Sequence, residues 1–347
     1  MNNKISKPKR VTSQDVANLA GVSRTTVSLV LNQVEGFQIS QETREKVFEA
    51  AESLGYVPDA AAQALASRRT KAIGLVMTRS PHHIATDAFL PQIISGLLTV
   101  VKQNNLRLLI ESVEAEHQEQ AYLELALAKR IDGMILSTPR IDDVALKNFE
   151  RVDIPMVLMG HLTGSNLYSV DVNNCSAAKE AVDYLIGLGH QKIACITSAP
   201  ASYTATPDRV QGYLEALEVA GVRSDPELIR YADFDPSSGY DRMKSLLTSG
   251  KKFTAVFVAS DNVAIGAKAA LREAGLHVPD DISMVGFDDI PWAQYSDPPL
   301  TTVHLPAEEL ARQACIMLIN LLKGKEPEDR HLDLGTALIV RNSCKAI

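Results

Sequence analysis

The sequence has few of the residue types that mark enzymes and secreted domains. Only four cysteines occur in 347 residues, at positions 175, 195, 315 and 344. They show no CxxC spacing and no accompanying histidine pattern, which argues against a zinc module or a disulfide scaffold and for a reducing, cytoplasmic compartment. Aromatic residues make up 5% of the chain, with a single tryptophan, Trp292, so any aromatic ligand wall must be built from few candidates. No apolar run approaches the roughly 20 residues that span a bilayer. The opening MNNKISKPKR has no apolar stretch behind it, so no secretory signal is expected. Absent too are a G-x-G-x-x-G after a strand, a GKS or GKT phosphate loop, a G-x-S-x-G elbow and an HExxH helix. His117, His161, His190, His277, His304 and His331 are scattered without nucleophile–base spacing. An enzyme is therefore not expected, and neither a cofactor nor a metal is called for. The end, ALIVRNSCKAI, carries no heptad repeat, against a coiled-coil tetramer.

What is present is a charge asymmetry and two kinds of periodicity. Residues 1–71 hold ten Lys/Arg and seven Asp/Glu, a net +3, while the remainder holds 25 basic and 35 acidic residues, a net −10. A basic end on an acidic body suits a protein that meets phosphates at one end only. The stretch VTSQDVANLAGVSRTTVSLVLN (11–32) reads as two short helices joined at Gly21, with Thr12 and Ser23 as N-caps. Helical spacing puts Val16, Leu19 and Ala20 on one inner face and Val27, Val30 and Leu31 on the other. Thr25 and Leu29 then point away from the core, with Arg24 and Ser28 at the flank. Exposed Leu beside Arg and Thr fits a DNA major groove, where thymine methyls take apolar contacts and guanine takes arginine. This is the helix-turn-helix layout. A surface helical hairpin without a ligand is the alternative. Ser40 opens a third helix, with Val47, Ala50, Ala51 and Leu54 inward and Gly55 at its end.

DVANLAGVSRTTVSLVLN followed by SQETREKVFEAAESLGYVPDAAAQAL resembles the DNA-binding headpiece of the lactose-repressor (LacI/GalR) family, densely over residues 11–74. The resemblance implies a homodimeric transcription factor, most often a repressor, controlled by a sugar or other metabolite. It divides the chain into a disordered basic arm (1–10), an all-α headpiece (11–57), a hinge helix or linker (58–71) and an α/β core (72–347). A hinge helix of two turns is marginal alone in water. In the family that segment docks in the operator's minor groove. There Leu65 would be the wedge that opens a base step, with Ala62 near the symmetry axis. A plain flexible linker is the bland alternative.

From residue 72 the pattern changes. AIGLVM, LRLLIE, GMILS, PMVLM, KIACIT, TAVFV and ISMVGF are short apolar runs alternating with helical stretches, the signature of parallel sheets covered on both faces. There are two such sets, so two subdomains and a cleft between their strand ends are expected. RIDGMIL, SVDVNN, YLIGLGHQKIACI, SDNVAIGAKAALREAGLHVPDDISMVGFDDI and PPLTTVHLP extend the resemblance to a type 1 periplasmic-binding-protein-like core. It implies three crossings between subdomains. They are placed near 170, 300 and 330, giving one subdomain of 72–170 plus 301–330 and another of 171–300 plus 331–347.

A sugar site needs planar hydrogen-bonding groups for hydroxyls and aromatic faces for C–H surfaces. Candidates just past strand ends are Asp288, Asp261 and, by resemblance, Arg209, which forks onto hydroxyls or carboxylates. Phe89, Tyr203, Phe234 and Trp292 are candidate walls. The two aspartates could instead cap helices, Arg209 could be a structural ion pair, and the phenylalanines could be core. His161 follows Gly160 where relatives carry Asp, or Gly followed by Arg; it is either a ligand contact or a solvated loop residue. The Tyr203 region lacks the arginine of purine-binding relatives, which disfavours a purine and favours a neutral saccharide. Leu29 stands where many relatives place Arg or His, so a distinct operator half-site is expected. The 34–39 loop is longer than in familiar members. In the expected mechanism Arg24, Thr25 and Leu29 read base edges while Thr26 and the capping groups hold phosphates. Ligand closure of the cleft changes the spacing of the hinge segments, through differential affinity for two states. A transport binding protein or a sensor with the same core is the rival reading, and a nucleoside effector the rival ligand.

Overall fold

The structure is a computed structural model; it describes residues 11–32, 36–59, 64, 69–113, 118–149 and 154–347. The basic arm, Ala62 and Leu65 lie outside the described residues. The chain divides into two compact units at Lys71/Ala72.

In the first unit, helices α1 (Ser13–Ala20), α2 (Arg24–Leu31) and α3 (Gln41–Ser53) enclose a small core of Val16, Ala17, Val27, Val30, Val47, Ala50 and Ala51. Thr12 and Asp15 form a reciprocal capping box, so two otherwise orphan N–H groups at the start of α1 are satisfied. Gly21 ends α1 at φ 66°, a left-handed turn that side chains with a Cβ resist, which is why α2 can leave at once. Ser23 Oγ accepts from Thr26 N at 3.0 Å and Ser40 Oγ from Thr43 N at 3.3 Å, capping α2 and α3. One detail of the helical-face reading is corrected: Leu19 is 56% exposed and Ala17 takes the inward position beside Val16. Val16 and Ala20 keep their inward places, so the inner face of α1 is turned by only about half a residue from the expected one.

The second unit contains two six-stranded sheets. The strands are β1 (Ala72–Met77), β2 (Arg107–Ser112), β3 (Gly133–Ser137), β4 (Met156–Met159), β5 (Tyr168–Val172) and β6 (Ile193–Ile196). They continue with β7 (Ile229–Arg230), β8 (Ala255–Val258), β9 (Ser283–Asp288), β10 (Thr301–His304), β11 (His331–Leu334) and β12 (Ala337–Ile339). The first sheet runs β2-β1-β3-β4-β5-β11 and is parallel throughout, with Ile73 beside both Leu108 and Gly133. The second runs β7-β6-β8-β9-β10-β12 and is parallel except for the edge strand β12. Strands β3, β4, β6, β8 and β9 are buried along their whole length, the result of helices on both faces.

The strand pairings move the expected crossings a few residues along the chain. β5 ends the first passage through sheet one at Val172, β10 still belongs to sheet two, and β11 returns to sheet one before β12 rejoins sheet two. The crossings therefore fall near 173, 305 and 335, not 170, 300 and 330. Residues 171–172, 301–304 and 331–334 exchange subdomains relative to the sequence-based boundaries. The reason is physical: each crossing must follow completion of a strand's ladder, so it lies at the strand's carboxyl end, not at the preceding turn.

Candidate functional site

The headpiece presents its candidate reading residues on α2. Arg24 and Thr25 are exposed, whereas Thr26, Ser28 and Leu29 are half-buried. Arg24 Nε donates to Ser13 Oγ at 2.9 Å, which ties the start of α2 to α1 and fixes the root of the guanidinium. The Ser23 and Thr26 hydroxyls lie 2.9 Å apart, and Ser28 Oγ accepts from Asn32 Nδ2 at 3.1 Å. Thr12 is exposed and engaged in its capping box. Ser23, Arg24, Thr25 and Thr26 thus belong to the same short stretch of chain at the start of α2.

The core has a cavity at the carboxyl ends of both sheets. Residues at or just past the ends of β1, β3, β4 and β5 line one side, and those of β6 to β10 the other. This is where parallel α/β sheets present ligand-binding groups. Phe89, Tyr203, Arg209, Phe234 and Asp288 all lie on its lining. Arg209 is buried; its Nε donates to Asn174 Oδ1 at 2.9 Å and its Nη1 to the Ala259 carbonyl at 2.6 Å. Its guanidinium carbon sits 3.7 Å from the Phe287 ring centre, and Nη1 lies 3.7 Å from Asp288 Oδ1. At that separation attraction does not cancel the cost of burial. Burial pushes the Asp288 carboxyl up to about 7, against the pull of Arg209, and burial likewise lowers Arg209. Asp171 is driven to about 6 by burial, opposed by N–H donors at Val172 and His161 and by Arg209.

The opposite wall is built on a second guanidinium. Arg79 Nη1 meets Asp87 Oδ2 at 2.5 Å with both side chains buried, and its guanidinium lies 4.2 Å from the Phe234 ring centre. Tyr203 stacks edge-on against Phe234 at 4.8 Å, and its hydroxyl donates to the Thr78 carbonyl at 2.7 Å. Phe234 and Asp288 both hold positive φ, 63° and 110°. Such backbone conformations cost of order 1–3 kcal/mol in non-glycine residues and cluster at ligand sites. Gly160 lies on the lining at φ 121°, where a Cβ would come within 2.6 Å of Pro139 Cδ, so the wall there stays bare.

Three sequence candidates are not on this lining. Asp261 is fully buried inside the second subdomain, accepting from Thr302 Oγ1 at 2.6 Å and Ile290 N at 3.0 Å; it braces the loop that carries Asp288. Trp292 is 64% exposed at the start of a short 3-10 turn. His161 packs against the His331 ring at 4.3 Å, and its pKa is lowered by burial and by His331. In exchange the lining contains Arg79, Asp87, Asp171, Asn174 and Ser260, none of them singled out from sequence. Asp171 and Asn174 lie within or beside the SVDVNN string, and Arg79 follows β1, so their positions at strand ends were the signal that could have found them.

A family model described as "Bacterial regulatory proteins, lacI family" matches residues 12–59, and one described as "Periplasmic binding protein-like domain" matches 182–344. The chain is 33% identical over 338 residues to the HTH-type transcriptional regulator CelR of Thermobifida fusca, covering 96% of this chain and 98% of that one. The chain belongs to the LacI family. This LacI-family protein is also 33% identical to the transcriptional repressor CytR of Escherichia coli K12, over 97% of both chains. Among solved structures it matches the lac repressor dimer bound to operator and the anti-inducer ONPF with a TM-score of 0.84, at 30% identity, over 97% of this chain and 100% of that one. This LacI-family chain is thus a helix-turn-helix transcriptional repressor under effector control, with a periplasmic-binding-protein-like core. The relatives named are regulators, not enzymes. Among the described residues no helix is long and apolar enough to cross a membrane.

Proposed function

We propose that this repressor binds a near-palindromic operator as a cytoplasmic homodimer and answers to an uncharged saccharide held in the core cavity. Arg24, Thr25 and Leu29 read base edges, with Ser28 at the flank, and Thr12, Ser23 and Thr26 contact phosphates. Ala62 and Leu65 take the hinge roles the resemblance implies. In the cavity Arg209, Asp288 and Asn174 address hydroxyls, while Phe89, Phe234 and Tyr203 cover the C–H faces.

The observation that carries the ligand class is the charge pairing of the lining. It contains two arginines and three aspartates, and each guanidinium already faces a carboxylate. An anionic effector would enter a site with surplus carboxylate and no uncommitted cation, whereas a polyol exchanges hydrogen bonds without adding charge. That the lac repressor and CelR structures are described with ONPF and cellobiose supports a sugar-type ligand here. Isothermal titration of the full-length protein against neutral mono- and disaccharides, sugar phosphates and nucleosides tests this, with and without operator DNA. Binding of a neutral sugar that shifts operator affinity is expected. Binding only of a phosphorylated sugar or a nucleoside would overturn the ligand class.

A further inference from the structure

A second set of polar contacts spans the cleft at its partly exposed edge. The short helix Pro81–Thr86 follows β1 and belongs to the first subdomain; residues 231–235 follow β7 in the second. His82 Nε2 lies 3.4 Å from Asp235 Oδ2, and His83 Nε2 lies 3.6 Å from Asp233 Oδ2. Alongside these pairs Asn262 Nδ2 donates to the Thr86 carbonyl at 3.1 Å and to the Phe234 carbonyl at 2.8 Å, joining both sides through one amide. The His83 ring packs 6.0 Å from the ring of Phe234, a residue of the cavity wall. We propose that this strap is a proton-operated latch: protonated His82 and His83 hold residues 81–86 against Asp233 and Asp235 and favour the closed cleft.

The charged surroundings match that role. Facing the two imidazoles are Asp233 and Asp235 from the second subdomain and, from their own, each other, with Arg79 and Asp87 beyond Phe234. Arg79 is committed to Asp87, so its charge is locally answered. The two imidazoles lie 5.9 Å apart and would repel when both are charged, but two carboxylates stand opposite them. Burial pushes the Asp235 carboxyl up. The Ser238 N–H, the Ser237 and Ser238 hydroxyls and the charge of His83 more than offset this and leave it below its ordinary value, ready to pair with a cation. Imidazole is the side chain that changes charge between pH 5 and 8. Charging the imidazoles adds ion pairs that only the closed cleft can make, so acidification favours closure and that bias is lost as pH rises. By the same linkage, acidification would act in the same direction as any ligand that closes the cleft.

The test needs no effector and is therefore independent of the saccharide reading. Amide hydrogen exchange of the full-length protein is measured at about pH 5.5 and about pH 8, on either side of imidazole titration and corrected for intrinsic exchange rates. Protection of residues 83–89 and 231–235 should be greater at the lower pH by roughly two- to fivefold, the scale of partly exposed ion pairs. His82→Gln/His83→Gln should abolish that difference. Asp233→Asn, at a carboxylate 52% exposed, should reduce it without disturbing the fold and gives the reading if the double variant melts early. Asp235→Asn should do likewise while keeping an oxygen to cap the helix Pro236–Thr248. Equal protection at both pH values, or an undiminished difference in the variants, would overturn the latch.

Discussion

In the headpiece, Arg24, Thr25 and Leu29 sit within two turns of one helix, over a core of seven buried residues. The cavity instead gathers Arg79, Asp171 and Asp288 from three strand ends on two sheets and Arg209 from the helix Ala205–Val219, and buries all of them. The headpiece leaves Arg24 and Thr25 exposed on a helix whose start is held by the Ser23 cap. The cleft withdraws its chemistry from water and keeps it aligned by mutual pairing. A surface reader tolerates loss of one contact as a loss of affinity. A buried constellation does not, because each member is the electrostatic partner of another.

The largest expected effect follows from that contrast. Arg209→Ala should remove effector binding and destabilise the core by about 3–5 kcal/mol, because Asp288 and Asp171 lose the cation that faces them. Chemical denaturation and titration calorimetry report the two effects; a core that unfolds at the wild-type denaturant concentration would show that the cleft is no more interdependent than the headpiece. Next in size, Arg24→Ala should weaken operator over non-operator binding by about 1–3 kcal/mol while leaving effector affinity unchanged. Competition gel shifts with scrambled DNA measure it. Equal loss on both DNAs would demote Arg24 from base reading to phosphate contact. Val27→Ala, at a fully buried headpiece position, should cost about 1–2 kcal/mol and lower only the headpiece transition, since its neighbours belong to the first unit. A matching shift in the core's melting would break the separation of the two units.

The last expected effect is in pH dependence. Asp288 and Asp171 have carboxyls raised to about 7 and about 6, above the ordinary carboxylate value. Groups raised in the folded state bind more protons folded than unfolded, so their contribution is present below about pH 4 and is lost as pH rises through 6 and 7. Core stability should thus carry a downward slope over that window, which Asp288→Asn should flatten above pH 6. Melting temperatures across pH measure it, and an unchanged slope would place the titration elsewhere.

Some elements are legible in the amino-acid order because local chemistry alone produces them. The caps at Thr12, Ser23 and Ser40 are side chain–backbone contacts made within three residues. The apolar runs that form β1, β3, β4, β8 and β9 are self-evident to periodicity. β10 (TTVH) and β11 (HLDL) are harder to place, since their polar side chains do not form an apolar run. Thr301 and Thr302 are nevertheless fully buried, with the Thr302 hydroxyl donating to Asp261. Leu19 misleads for a related reason: an eight-residue helix has room for two plausible inner faces, and only packing against α2 and α3 selects one.

The sequence by itself determined the helix-turn-helix, the alternation of strand and helix, and the residues that could reach a cleft, because those depend on caps, periodicity and strand ends. The tertiary structure alone decided which of them face one another. It drew Arg79, Asp171 and Asn174 to the cavity and turned Asp261, His161 and Trp292 away from it. Convergence across three chain crossings depends on how the strand ladders align, and no local pattern encodes that alignment.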